Sequence, residues 1–424
     1  MKEHATHVTR AWVLHPDIRS DRDRRDAEMA LEEAVALAVA LPDLEVVGSA
    51  VVPVRDPHPG HLFGTGKIEE LKTLFEEAEV ELVLVDGPVS PVQQRNLEKQ
   101  WKVKLLDRTG LILEIFSDRA ATREGVLQVE MAALSYQRTR LVRAWTHLER
   151  QRGGLGFVGG PGETQIEADR RAIDEQLVRL RRQLDRVVKT RDLHRKARAK
   201  VPFPIVALVG YTNAGKSTLF NRLTGAEVMA KDMLFATLDP TMRAVRLPTG
   251  IEVILSDTVG FISDLPTELV AAFRATLEEV LAADVVVHVR DISHPNTEEQ
   301  SEDVETILAS LGLDEEVPRI EVWNKIDRLH PDERDALLTR AEREEQVYAV
   351  SALTGDGLDV MLRAVTDLLQ GETVEEELLL GFDEGRRRSW LFGKGLVTDE
   401  RQEEDGFVVR VRWSAKDRAQ FQSL

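Results

Sequence analysis

The chain has 424 residues, with 74 Asp or Glu against 56 Lys or Arg, a formal charge of −18. That balance argues against a protein that coats nucleic acid by bulk attraction, although a local basic patch stays possible. With no cysteine, disulfides, thiolate metal sites and cysteine nucleophiles are excluded.

The first section alternates strand-like and helix-like segments. Residues 8–14 read as a strand, and 27–41 as a helix ended by Pro42. A strand follows at LEVVGSAVVPV, then a helix at KIEELKTLFEEA and a strand at ELVLVDG. The helix SPVQQRNLEKQW has Ser90 as its N-cap and Pro91 in its first turn. The strand KVKLLD closes the series. Such alternation predicts a parallel sheet with crossover helices over residues 1–123. Gly64-Thr65-Gly66-Lys67 superficially resembles a nucleotide loop but lacks its spacing, and is read as a helix-start turn.

Residues 124–200 read as two long, charge-rich helices, 124–151 and 163–200, around the glycine-rich GGLGFVGGPGETQ. The stretch 138–200 carries a net charge of +9. That contrast with the whole chain fits either two solvated helices or a surface that meets phosphates. Pro202 and Pro204 mark the next boundary. A second α/β region spans 201–370, with strands at FPIVALVG, IEVILSDT, DVVVHVRD, RIEVWNKID and QVYAVSA. Its helices KSTLFNRLTG, SEDVETILASLG and LDVMLRAVTDLLQG are each closed by glycine. Residues 371–424 start acidic, pass Arg386, Arg387 and Arg388, and end in GFVVRVRW, a small α+β domain. The opening MKEHATHVTRAWVL lacks an apolar run followed by a small-residue cleavage site. Apolar runs such as Ala34 to Leu41 fall short of the roughly 18 residues that span a bilayer. A soluble, cytoplasmic protein without a membrane span, and a monomer, is expected.

Gly210-Tyr211-Thr212-Asn213-Ala214-Gly215-Lys216-Ser217 matches G-x-x-x-x-G-K-[ST], between a strand and a helix that continues through Thr218. The glycines let successive N–H groups curl toward phosphate oxygens, and the helix N-terminus adds partial positive charge. Lys216 can reach the β- and γ-phosphates, and Ser217 can give a hydroxyl to Mg²⁺. Asp257-Thr258-Val259-Gly260 lies 41 residues beyond the lysine, at a strand end. Its carboxylate can hold Mg²⁺ through water, and the Gly260 N–H can sense a γ-phosphate. Asn324-Lys325-Ile326-Asp327 ends a later strand. Its Asp can accept both guanine N1–H and N2–H₂, a donor pair adenine lacks. Asn324 can meet the purine edge, the Lys325 stem can cover a base face, and Ser351-Ala352-Leu353 can complete the pocket through backbone N–H groups. Guanine is therefore expected over adenine, and GTP and GDP are the expected substrate and product. The ten histidines form no metal-ligand spacing; His194 is read on a solvated helix and His288 in a satisfied strand position.

Three motifs in this order resemble a small GTPase domain. The flanking stretches RTGLILEIFSDRAATREGVLQVEMAALSY (108–136), GGLGFVGGPGETQIEADRR (153–171) and FATLDPT (235–241) resemble the HflX family over roughly residues 6–370. The resemblance implies that Phe235-Ala236-Thr237-Leu238-Asp239 is the first switch. Thr237 would then join Ser217 on Mg²⁺, with Thr241, in the same mobile loop, as the competing hydroxyl. Lys216, Thr237 and Gly260 would be the catalytic set. Phe261 stands where many GTPases carry a water-orienting glutamine, so slow intrinsic hydrolysis is expected. Asn213 occupies the P-loop position at which such GTPases often hold K⁺; a role confined to loop stability competes. The resemblance further implies binding to the large (50S) ribosomal subunit and its rRNA through the amino-terminal region, and splitting of stalled or stressed ribosomes. A regulatory module that recruits a protein partner in its GTP state is the alternative. Removal of residues 1–200 is expected to leave a folded GTPase.

Overall fold

The computed structural model describes residues 7–20, 25–151, 161–198, 203–226, 234–235, 238, 241–263, 277, 279–314, 316–370, 373–403 and 406–422. Three layers of structure follow one another. The first is built from β1 (Thr9–Ile18), α1 (Ala27–Val39), β2 (Leu44–Val54), α2 (Thr65–Glu77), β3 (Leu82–Val85), α3 (Pro91–Trp101), β4 (Lys104–Asp107) and α4 (Arg108–Arg119). Its four strands are parallel in the order β2-β1-β3-β4. The local chemistry explains the elements. Asp26 accepts from the Glu28 and Met29 N–H groups to start α1. Ser90 and Gln93 form a reciprocal capping box ahead of α3. Gly64 caps α2, so Gly64-Thr65-Gly66-Lys67 is a helix start. The helix α4 is absent from the sequence reading, because Gly110 in its first turn speaks against a helix; Asp107 compensates by accepting from the Gly110 N–H.

The long helices α5 (Arg123–Gln151) and α6 (Pro161–Arg198) pack along each other, with Arg138 paired to Asp174 at 2.9 Å. The glycine-rich stretch 153–160 between them lies outside the described residues, as does the side chain of His194.

The second α/β layer runs through β5 (Ile205–Val209), α7 (Lys216–Thr224), β6 (Thr241–Arg246), β7 (Glu252–Asp257), β8 (Val285–Asp291), α8 (Thr297–Leu311), β9 (Arg319–Asn324), α9 (Pro331–Ala341), β10 (Val347–Ala349) and α10 (Leu358–Gln370). The order is β10-β9-β8-β5-β7-β6, parallel except for β6. This is the α/β region expected over 201–370, a largely parallel sheet with crossover helices. Gly225 and Gly312 close α7 and α8 in the left-handed conformation; Gly371 lies outside the described residues. The edge strand β6, TMRAVR, escapes a pattern reading because its side chains are largely solvated. It corrects one expectation: Thr241 opens β6, in register with Asp257, and so is held in a sheet instead of a mobile loop. The third layer is an antiparallel sheet, β11-β13-β12, made of β11 (Thr373–Leu380), β12 (Val397–Glu403) and β13 (Gly406–Ser414). With α11 (Gly385–Gly393) and α12 (Ala415–Gln422), it encloses Leu380, Leu391, Val409, Val411, Trp413 and Phe421. The acidic β11 faces basic residues of β13, Glu375 opposite Arg412 and Glu377 opposite Arg410.

One apolar cluster joins the first two layers. It runs from Leu31, Leu37, Ile112 and Phe116 to Tyr211, Phe235, Leu238, Phe261 and Ile262. No helix among the described residues is long and apolar enough to cross a membrane.

Candidate nucleotide site

The parallel strands β5, β7, β8 and β9 end on the same edge, and the loops leaving β5, β7 and β9 carry the motifs. Open parallel sheets bind ligands at this edge. Gly210 and Gly215 adopt positive φ; a Cβ at Gly210 would lie 2.1 Å from the Val289 carbonyl oxygen, and one at Gly215 only 2.2 Å from Asn324 Nδ2. No larger residue fits this turn. Lys216 is buried and donates to the carbonyls of Gly210 at 3.0 Å and Tyr211 at 2.7 Å. Burial pushes its ammonium down to about 8, with Asp257 opposing and Lys325 adding to the shift. An anionic phosphate beside it would restore the charged form. Thr218 lies half-buried in the first turn of α7.

Ser217 Oγ donates to Asp257 Oδ2 at 2.7 Å. A hydroxyl and a fully buried carboxylate in contact form a hard-oxygen pair of the kind that would suit Mg²⁺. Thr258 Oγ1 donates to the Leu208 carbonyl at 2.7 Å, so it braces strand β5 instead of facing the ligand. Val259 is buried in the shared cluster. Gly260 lies against the phosphate loop: a Cβ there would stand 2.8 Å from Thr212 Cα and 3.1 Å from Lys216 Nζ.

The residues expected to bind the base lie together in the fold. Asn324 Nδ2 donates to the Ala214 carbonyl at 2.8 Å, and its Oδ1 accepts the Ala352 N–H at 2.9 Å. The Ser351 N–H goes to the Asp356 carbonyl. Asn324 therefore ties the phosphate loop to the Ser351-Ala352-Leu353 loop, and the N–H groups of Ser351 and Ala352 serve the fold. Asp327 Oδ1 accepts from Ser351 Oγ at 2.5 Å, which fixes the orientation of the carboxylate. Lys325, in a left-handed conformation, pairs with Asp291 at 2.7 Å, and Ile326 is buried. Leu353 is 69% exposed. Arg222 on α7 holds the carbonyls of Leu353 and Thr354 at 2.8 and 2.6 Å. Neither Arg222 nor Asp291 belongs to a motif, so spacing gave no signal for them.

Of the first-switch stretch, Ala236, Thr237 and Asp239 lie outside the described residues. Phe235 and Leu238 are buried, and the Phe235 ring meets that of Phe116 edge-to-face at 4.7 Å. Phe261 is 1% exposed in the interlayer cluster, too enclosed to act on a water. Asn213 is exposed at the loop tip with φ 59°. His288 pairs through Nδ1 with Glu305 at 3.4 Å, whereas its buried Nε2 has no partner among the described residues, so the strand position is only half satisfied. No group of three or more His, Asp or Glu side chains forms a metal cluster among the described residues.

Comparison with known proteins decides the family. Residues 28–117 match the GTP-binding GTPase N-terminal model and 119–198 the GTP-binding GTPase middle region. Residues 205–325 match the 50S ribosome-binding GTPase model and 336–423 the HflX C-terminal domain. GTPase HflX of Magnetococcus marinus is 48% identical over 93% of this chain and 89% of its own length. The chain belongs to the HflX family of GTPases. GTPase HflX of Escherichia coli is 43% identical over 96% of this chain and 94% of its own. A crystal structure of a GTP-binding protein from Sulfolobus solfataricus in complex with GDP covers 85% of this chain and 98% of its own, at 22% identity and a TM-score of 0.46. As an HflX GTPase, the chain hydrolyses GTP to GDP and phosphate.

Proposed function

We propose that this GTPase requires Mg²⁺, binds the large (50S) ribosomal subunit in its GTP state, and separates the subunits of stalled or stressed ribosomes. In this reading Lys216 holds the β- and γ-phosphates, Gly260 senses the γ-phosphate, Ser217 and Thr237 supply hydroxyls to the metal, and Asp327 reads guanine. The observation that carries the cation is the Ser217–Asp257 contact beside the phosphate loop. The observation that favours an RNA-bearing partner is the surface of α6, where Arg170, Arg171, Arg179, Arg181, Arg182 and Arg186 are exposed on an otherwise acidic chain. Such a surface engages phosphates by counterion release, while the acidic remainder suppresses indiscriminate RNA binding. K⁺ beside Asn213 is part of the proposal; unchanged hydrolysis on replacing potassium with sodium removes it.

Gradient sedimentation of whole ribosomes with the protein and a non-hydrolysable GTP analogue tests the function. Release of subunits is the expected result. Intact ribosomes without co-migrating protein reject it in favour of a GTP-switched module that recruits a protein.

A further inference from the structure

The surface of α1 that faces the phosphate loop carries a charge where its pattern calls for an apolar residue. Glu33 sits among the buried Ala30, Leu31, Ala34 and Leu37, with its side chain only 15% exposed. Three groups hold its carboxylate: the Tyr211 hydroxyl, Arg108 at 2.5 Å and Arg25 at 3.2 Å. Tyr211 belongs to the phosphate loop, 178 residues away in the chain.

Two of these partners, Tyr211 and Arg108, also grip the segment behind Gly260. The Tyr211 hydroxyl accepts the Ser263 N–H at 2.8 Å and lies 2.6 Å from Ser263 Oγ. Arg108 donates to the Ser263 carbonyl at 2.8 Å. The segment is bonded to the phosphate loop as well: the Phe261 N–H donates to the Gly210 carbonyl at 3.1 Å, and the Thr212 N–H to the Phe261 carbonyl at 2.7 Å. We propose that Glu33 is a positioning residue of the GTPase site, which through Tyr211 and Arg108 holds residues 261–263, and with them Gly260, in the place seen here. The amino-terminal layer thereby sets how readily the site accepts a γ-phosphate.

Space gives the direction of the effect. The Gly260 backbone is so close to Lys216 Nζ that a Cβ would stand 3.1 Å from it. As part of the same proposal, a γ-phosphate oxygen taken up between the lysine and the Gly260 N–H presses Gly260 outward, whereas a bound diphosphate places no oxygen there. A cavity of about 260 Å³, lined in part by Glu33, Thr212, Asn213, Leu234 and Ser263, adjoins the segment and leaves it room. The bonds through Glu33 oppose the movement, so they lower affinity for GTP relative to GDP. By linkage, GTP weakens the contact between the layers to the same degree. A contact that only glued the two layers together would change affinity for both nucleotides alike.

The test uses the full-length chain with Tyr211→Phe, which removes only the hydroxyl, and Glu33→Gln, which removes only the charge. Equilibrium titration with fluorescent GDP and a fluorescent non-hydrolysable GTP analogue gives the affinity ratio. The ratio is expected to rise about fivefold in each variant, and no further in the double variant, because both act on one linkage. A ratio within twofold of the parent chain in either variant, or a fall, overturns the proposal. Should Glu33→Gln not fold, Tyr211→Phe decides alone, since it leaves the packing of the ring in place. The inference rests on the phosphate roles assigned to Lys216 and Gly260. Failure of those roles would appear as loss of nucleotide binding in the parent chain, which also overturns it; failure of the linkage alone leaves binding intact with an unaltered ratio.

Discussion

In the proposed base pocket, Ser351 would make the Asp327 carboxylate selective. The serine hydroxyl occupies Oδ1 at 2.5 Å, so the remaining oxygen would have a single orientation from which to accept guanine donors. Asp327→Asn places an amide donor against those donors and removes a charge-assisted bond worth about 1.5–3 kcal/mol. The preference for GTP over ATP should then fall roughly 10- to 100-fold, by competition binding, while phosphate contacts persist. An unaltered ratio removes Asp327 from the base pocket. Lys216→Ala should abolish tight binding of both nucleotides. A different residue governs the acid limit. Burial would raise the Asp86 carboxyl, but the Arg108 guanidinium and His15 beside it bring it below the ordinary carboxylate range. Asp86 therefore stabilises the fold fully above its unfolded value of about 3.9, and this is lost as pH falls through the lower folded value. At neutral pH Asp86→Asn should cost about 1.5–3 kcal/mol, because it removes one of the two carboxylates that pair with the buried Arg108 and leaves Glu33 as the other. In denaturant titrations, the deficit should close only below about pH 4.

At the scale of elements, α6 carries the argument for RNA. Arg179, Arg182 and Arg186 recur at helical spacing on one exposed strip. Replacing all three with Gln should leave GTP hydrolysis by the isolated protein unchanged and weaken binding to the large subunit. The slope of log affinity against log salt should become shallower by about two, at roughly 0.7–0.9 per lost phosphate contact. An unchanged slope places the rRNA contact elsewhere. Elements with strong caps or a continuous apolar run are legible in the sequence: α3 through Ser90 and Pro91, and β8 through DVVVHVRD. The misses have common causes. In α4 a first-turn glycine masks a helix that Asp107 caps; β6 and α9 are mostly solvated, so no apolar period marks them.

At the scale of the whole molecule, the apolar cluster shared by the first two layers changes what truncation should do. A chain lacking residues 1–200 would expose Phe235, Leu238, Phe261 and Ile262, all 3% accessible or less in the intact protein. The expectation of a freely folding GTPase piece therefore gives way to a destabilised one. Its melting temperature should fall by about 10 °C or more, because several large apolar side chains, each worth about 1.5–3 kcal/mol, return to water. A fragment that melts with the full chain would show that the cluster contributes little. The GTPase family was readable in the linear order of residues, since a phosphate loop, a strand-end D-x-x-G and an N-K-x-D are short contiguous motifs whose backbone geometry is local. What residue order could not disclose is that Glu33 meets Tyr211 and Arg108 meets Ser263, across 178 and 155 residues. No spacing rule connects such positions; they become neighbours only when two sheets bury a common apolar face, and the packing of that face selects which charges must pair.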